Sequence, residues 1–195
     1  MFEVYFKIGL KHIADLAAYD HILFIIALCA VYRLKQWKSI LILVTAFTIG
    51  HSVTLALSAL NIVKVNSAVI EFLIPVTIVL TALYNVIFDA NQKIKPSLKQ
   101  LNFKYLIALF FGLIHGMGFS NYFKALLGQE ANITLPLFAF NIGIEAGQLI
   151  IVAVMLVIAI IAMEIFKASQ KAWNLFVSGA AFGISFIMMI ETWPF

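Results

Sequence analysis

Long apolar runs along this chain are separated by short basic or turn-forming clusters. A bilayer crossing takes about 20 predominantly apolar residues, and on that basis the runs predict spans near 16–33, 39–63, 67–88, 104–127, 136–163 and 173–192. Before them, Met1 to Lys11 alternates apolar residues with lysines, which predicts a short amphipathic helix on the membrane surface. Residues 1–15 therefore read as an interfacial segment, and 1–195 as a single transmembrane helical domain. The opening residues lack the basic start, apolar run and small-residue cleavage site of a secretory signal, so no cleavage is expected. A turn-forming, basic stretch at about 89–103, with Lys93, Lys95, Pro96 and Lys99, divides the spans into two sets of three. Pro136 suits the first turn of the fifth span, where its missing N–H costs nothing, and Pro75 lies early in the third, where a kink is expected.

Composition excludes a water-soluble domain. Of 195 residues, 64% are hydrophobic and 11% charged, against roughly 25% charged in a typical soluble domain. The fold class is an all-α membrane protein, a bundle of about six transmembrane helices. Cys29 is the only cysteine, so neither a disulfide framework nor a CxxC metal site is available within one chain. The net charge of +4 does not indicate nucleic acid, because the lysines fall in loops between spans. Nine of the thirteen basic residues belong to the loops after the first, third and fifth spans. The positive-inside rule then places those loops in the cytoplasm and both termini outside.

The residues that are expensive in a membrane carry the chemistry. A charged group at mid-bilayer costs about 2.5–3.5 kcal/mol on the insertion scale and persists where it faces a bundle interior with partners. His51, His115 and Glu145 fall near the midplane of the second, fourth and fifth spans. Asp20 and His21 fall in the outer third of the first, with His12 and Asp15 at the outer interface before it. Asn141, Glu145 and Gln148 share one helical face, as do Thr48, His51 and Ser52. The expectation is a polar track descending from the outer surface to the membrane centre. Glycines flank the track, at 50, 112, 116, 118, 143 and 147, and predict close helix approach.

Imidazole and carboxylate suit divalent nickel, cobalt or zinc, and there is no thiolate cluster for a softer ion. His12, Asp20, His21, His51, His115 and Glu145 are the candidate ligands. A transporter would use them as weak sequential sites. An intramembrane metal-dependent hydrolase would instead converge three of them at one depth and leave a position for water, although the HExxH helix motif is absent. A proton relay would need no metal. No GxxxxGK phosphate loop occurs.

The stretches His12-Ile13-Ala14-Asp15 through Tyr19-Asp20-His21-Ile22-Leu23-Phe24, Thr45 to Leu57 around Gly50-His51-Ser52, Phe111-Gly112-Leu113-Ile114-His115-Gly116-Met117-Gly118-Phe119, and Phe140-Asn141-Ile142-Gly143-Ile144-Glu145-Ala146-Gly147-Gln148 together resemble the HupE/UreJ family of bacterial membrane proteins. The resemblance implies uptake of nickel or cobalt across the inner (plasma) membrane in support of hydrogenase or urease maturation proteins. It points to His12, Asp20, His21 and His115 as ligands. The sequence departs from the family pattern in two places. Seven residues, not five, separate His12 from Asp20-His21, and Gly118-Phe119 stands where a second His-Gly is usual.

Overall fold

A computed structural model describes residues 1–64, 66–88, 98–128 and 132–194, and every regular element in them is helical. The helices are α1 (Phe2–Ile13), α2 (Asp20–Cys29), α3 (Trp37–Ala59), α4 (Ser67–Ile87), α5 (Leu98–Leu127), α6 (Thr134–Ile160) and α7 (Gln170–Glu191). A 3₁₀ turn, Leu34–Gln36, leads into α3, and a π-helical turn, Ile161–Ile165, closes α6. Most of the basic stretch at 89–103 lies outside the described residues.

Five helical stretches, beginning at Leu34, Ser67, Phe103, Thr134 and Gln170, are long and apolar enough to cross a membrane. They agree with five of the expected spans. The first expected span, 16–33, is different: its helix holds only 10 residues, about 15 Å at 1.5 Å per residue. Residues 14–19 are not helical, and Asp15 Oδ1 accepts the N–H of Ala17 at 2.9 Å, a side-chain turn that competes with helix continuation.

The N-terminal segment forms the expected amphipathic helix and packs against the bundle. α1 is amphipathic, with Glu3, Lys7 and Lys11 exposed, yet its other side packs backbone to backbone on α6. A Cβ on Gly9 would collide with the Phe140 carbonyl, and one on Gly143 with the Phe6 carbonyl. Contacts pass from Gly9 with Phe140 to Ile13 with Gly147, so the two helices run parallel. Beyond α2, residues 33–36 border a cavity with Leu156, Met163 and Glu164 at the far end of α6. α1 and α2 thus follow α6 one after the other in the same direction.

A second glycine seam joins α3 and α5. Gly112 meets the Phe47 carbonyl, Gly116 meets Thr54 and the backbone of His51, and Gly50 meets the Leu109 carbonyl. Without Cβ atoms the backbones approach closely, as in other membrane helix pairs, and the residue after His115, Gly116, sits against the His51 backbone. α7 packs antiparallel on α4, with Phe72 against Trp193 (ring centroids 5.1 Å apart) at one end and Asn174 donating to the Asn85 carbonyl at 3.0 Å near the other. Asn85 also donates to the Ala27 carbonyl at 2.7 Å, tying the short α2 to this pair.

Candidate metal centre

The break between α1 and α2 is where the chemistry collects. His12 is the penultimate residue of α1, Asp20 and His21 open α2, His51 comes from α3 and His115 from α5. His21, His51 and His115 are 4%, 0% and 0% exposed. Ring centroids lie 4.7 Å apart for His12 and His21, 5.8 Å for His12 and His51, 6.0 Å for His21 and His51, and 5.1 Å for His21 and His115. The four imidazoles form one cluster with His21 at its middle. The expected descending track is therefore a compact centre. His51 lies eight residues from the end of α3, about 12 Å along its axis.

Two sets of three groups place potential ligand atoms within 4.8 Å of one another: His12 with His21 and His51, and Asp20 with His21 and His115. His21 belongs to both. Glu145 belongs to neither. Its Oε1 accepts a hydrogen bond from Thr45 at 2.8 Å, and it lines a separate crevice between α3 and α6 with Thr48, Ser52 and Asn141. Gln148, on the same face as Glu145, accepts from Thr48 at 2.7 Å. The polar stripes read from the sequence on α3 and α6 thus pair with each other, apart from the imidazoles.

Hydrogen bonds around the cluster fix which nitrogens are free. Asp20 Oδ1 lies 3.0 Å from His21 Nδ1 and also accepts the His21 backbone N–H at 2.9 Å. A carboxylate only accepts, so Nδ1 carries the proton, and in a neutral imidazole Nε2 is then the nitrogen with the lone pair. Thr77 donates its single hydroxyl proton to the Ile74 carbonyl at 2.7 Å, and its oxygen lies 2.9 Å from His115 Nε2. With that proton on the carbonyl the oxygen accepts from Nε2–H, in the tautomer that leaves Nδ1 bare. The nitrogens left without a protein partner are His12 Nε2, His21 Nε2, both of His51 and His115 Nδ1. Buried polar atoms are nearly always satisfied. A carboxylate or hydroxyl behind a histidine, with the other nitrogen free, is the usual support of a metal ligand, and the donor set fits a divalent transition ion.

Thr77, in contact with His115, was not singled out from the sequence. Its signal was a hydroxyl two residues after Pro75, deep in an apolar span. The aromatic wall was missed as well: the Phe119 ring lies tilted 3.8 Å from His12, Phe47 lies 5.2 Å and Phe24 5.3 Å from His115, and Phe140 lies 6.5 Å from His51. On one side a cleft of about 520 Å³, lined by Lys11, His12, Asp15 and Tyr122 among others, reaches the cluster. On the opposite side Phe24 and Phe47, stacked 4.9 Å apart, close it.

A family model described as HupE / UreJ protein matches residues 1–194. The chain belongs to the HupE / UreJ family. No curated protein and no solved structure matches it. The match spans both the short helices and the long ones, so the centre between α1 and α2 lies inside the family region. Membership agrees with the apolar helices in making this a membrane protein, and the family is one associated with nickel and cobalt uptake or accessory roles.

Proposed function

We propose that this protein carries a divalent transition metal ion, nickel or cobalt, inward across the bacterial inner membrane by way of the four-histidine centre. The observation that carries this reading is the set of unpartnered imidazole nitrogens facing one another inside an apolar bundle. Each of the four imidazoles leaves a buried nitrogen without a protein partner, and since a neutral imidazole offers one lone pair, a bound cation would engage up to four of these five nitrogens.

The first span supports transport. α1 and α2 together hold 22 residues in line along α6, about 33 Å of helix, close to the roughly 30 Å hydrocarbon core. They act as one discontinuous sixth span, interrupted where the ligands sit. Broken helices with binding groups at the break are a recurrent transporter device. With the lysine-poor end outside, the cleft at Lys11 and Asp15 faces outward and Phe24 and Phe47 seal the inner side. The two ligand sets overlap through His21, so an ion held first by His12, His21 and His51 passes to Asp20, His21 and His115 by exchanging two ligands at a time. Hydrogenase or urease maturation proteins are the proposed users of the delivered ion.

Convergence at one depth also suits a metal-dependent hydrolase, which is the second reading. It requires a free carboxylate as base. Asp20 holds His21 through Oδ1 and Glu145 faces another crevice, so neither is poised as a base over the centre, and the break in the first span favours transport.

Uptake of labelled nickel and cobalt into proteoliposomes tests the proposal. Wild type accumulates the ion, while Asp20→Ala and His21→Ala insert normally and do not. Normal uptake in both variants overturns the transport route. An ion retained through prolonged dialysis, without transport, favours the hydrolase.

A further inference from the structure

Between α3 and α6 runs a crevice of about 670 Å³, from Leu60 and Ile133 at one end to Thr45 and Glu145 at the other. Glu145 stands 11 residues after Thr134, the start of α6, and so lies about 16 Å down the helix. The lips of the crevice are apolar, with Ile49, Val53, Phe138 and Ile142 exposed.

The floor is polar and short of positive charge. Thr45 donates to Glu145 Oε1 at 2.8 Å, Thr48 to Gln148 Oε1 at 2.7 Å and Ser52 to the Thr48 carbonyl at 2.6 Å. A hydroxyl has one proton and two lone pairs, so these three have only lone pairs left to offer. Asn141 Oδ1 is buried without a hydrogen-bond partner. Glu145 adds a carboxylate, and among the described residues that border the crevice there is no Lys, Arg or His to balance it. Carboxylates inside a membrane persist where they have a partner. An all-oxygen donor set suits a hard cation, as imidazole suits nickel and cobalt. A single carboxylate balances one positive charge, which favours a monovalent ion over a divalent one at this depth. A proton on Glu145 would meet one acceptor, whereas a metal cation meets several at once.

We propose that this crevice binds one sodium ion, with Glu145 supplying the charge and Asn141 Oδ1, Thr45 Oγ1 and Ser52 Oγ the neutral oxygens. Cells hold sodium low and potassium high inside, so a site filled from the outer end of α3 and α6 takes sodium. The site is separate from the histidines and needs no transition metal. Its place in the bundle gives it a role. On α3, His51 stands between Thr48 and Ser52, and on α6 Asn141 follows Phe140, whose ring lies 5.9 Å from His12 and 6.5 Å from His51. An ion bridging α3 and α6 therefore sets the spacing of two helices that border the metal centre. Sodium acts there as the coupling ion for metal uptake, as ions bound near the midplane do in other transporters. This role, unlike the site, rests on the transport proposed above.

Equilibrium binding of radiolabelled sodium to the purified full chain, in metal-free neutral buffer, tests the site. Wild type binds one ion per chain, displaced by unlabelled sodium and not by equal potassium. Glu145→Gln keeps the shape and loses binding, Asn141→Leu weakens it several-fold, and His21→Ala binds sodium as wild type does. Circular dichroism and gel filtration confirm each fold, and if one of the two crevice variants does not fold the other decides. No sodium bound by wild type, or sodium bound equally by the folded crevice variants, overturns the site. Displacement by potassium as readily as by sodium overturns the choice of ion. Nickel uptake into proteoliposomes tests the role: an inward sodium gradient raises the initial rate several-fold in wild type and leaves Glu145→Gln unmoved. Nickel uptake indifferent to the gradient overturns the coupling role and leaves transport standing. No nickel uptake with or without the gradient overturns transport and the role together, while the binding measurement still decides the site.

Discussion

Thr77 Oγ1 stands 2.9 Å from His115 Nε2 and has already given its only proton to the Ile74 carbonyl. The hydroxyl therefore accepts from the imidazole and aims the bare Nδ1 of His115 at the centre. Groups that orient a histidine in this way typically contribute 10–100-fold to metal affinity. Thr77→Val keeps the shape and removes the acceptor. Its expected effect is a loss of about tenfold in nickel affinity, measured by competition titration, with Thr77→Ser restoring most of it.

His21 is shared by both ligand sets, whereas His51 and His115 each serve one. His21→Ala is expected to abolish binding, while His51→Ala and His115→Ala each retain a weaker site. Combining the last two reproduces His21→Ala. Isothermal titration of the four variants checks this, and equal losses in all the single variants would argue for one indivisible site.

Glu145 is held by Thr45 in its own crevice. Glu145→Gln is accordingly expected to leave nickel affinity unchanged, a result that titration of the purified protein reads directly. A loss comparable to that of Asp20→Ala would place the carboxylate in the centre after all.

Five of the spans were legible because their apolar runs are long and uninterrupted. The non-helical stretch between α1 and α2 was not: Ala14, Leu16, Ala17 and Ala18 are helix-compatible residues without glycine or proline, and the interruption accompanies the Asp15 side-chain turn and the packing of α1 on α6. The positions of His51 and His115 along their own helices could be read by counting residues. Their convergence could not, since rise per residue gives height and says nothing about which helices face each other. Glu145 illustrates the same limit. Its shared face with Asn141 and Gln148 was read correctly, but the partner of that face is the hydroxyl row Thr45, Thr48 on α3, which only tertiary packing reveals.

The glycine seams make a sharper structural prediction. Gly9→Val drives a side chain into the Phe140 carbonyl and is expected to destabilise the bundle by about 1–3 kcal/mol, the usual cost of overpacking, displacing His12 and weakening metal binding with it. Gly179, with open space around its Cβ direction, tolerates alanine. Thermal melts in detergent, followed alongside nickel affinity, separate the two.

Metal binding at imidazole competes with protons, because each ligand must be neutral to donate its lone pair. Nickel affinity is expected to fall continuously as pH is lowered and to recover on neutralisation, with proton release on binding seen as a buffer-dependent enthalpy. A pH-independent affinity would exclude the histidines as ligands.

The most direct test of the central claim is the metal content and ligand environment of the purified protein, by elemental mass spectrometry and X-ray absorption at the nickel edge. A buried histidine centre predicts nickel bound to wild type with a nitrogen-rich shell that contains several imidazoles, and none bound to His21→Ala. Wild type that binds no nickel, cobalt or zinc after loading, or His21→Ala that binds nickel as wild type does, would contradict it.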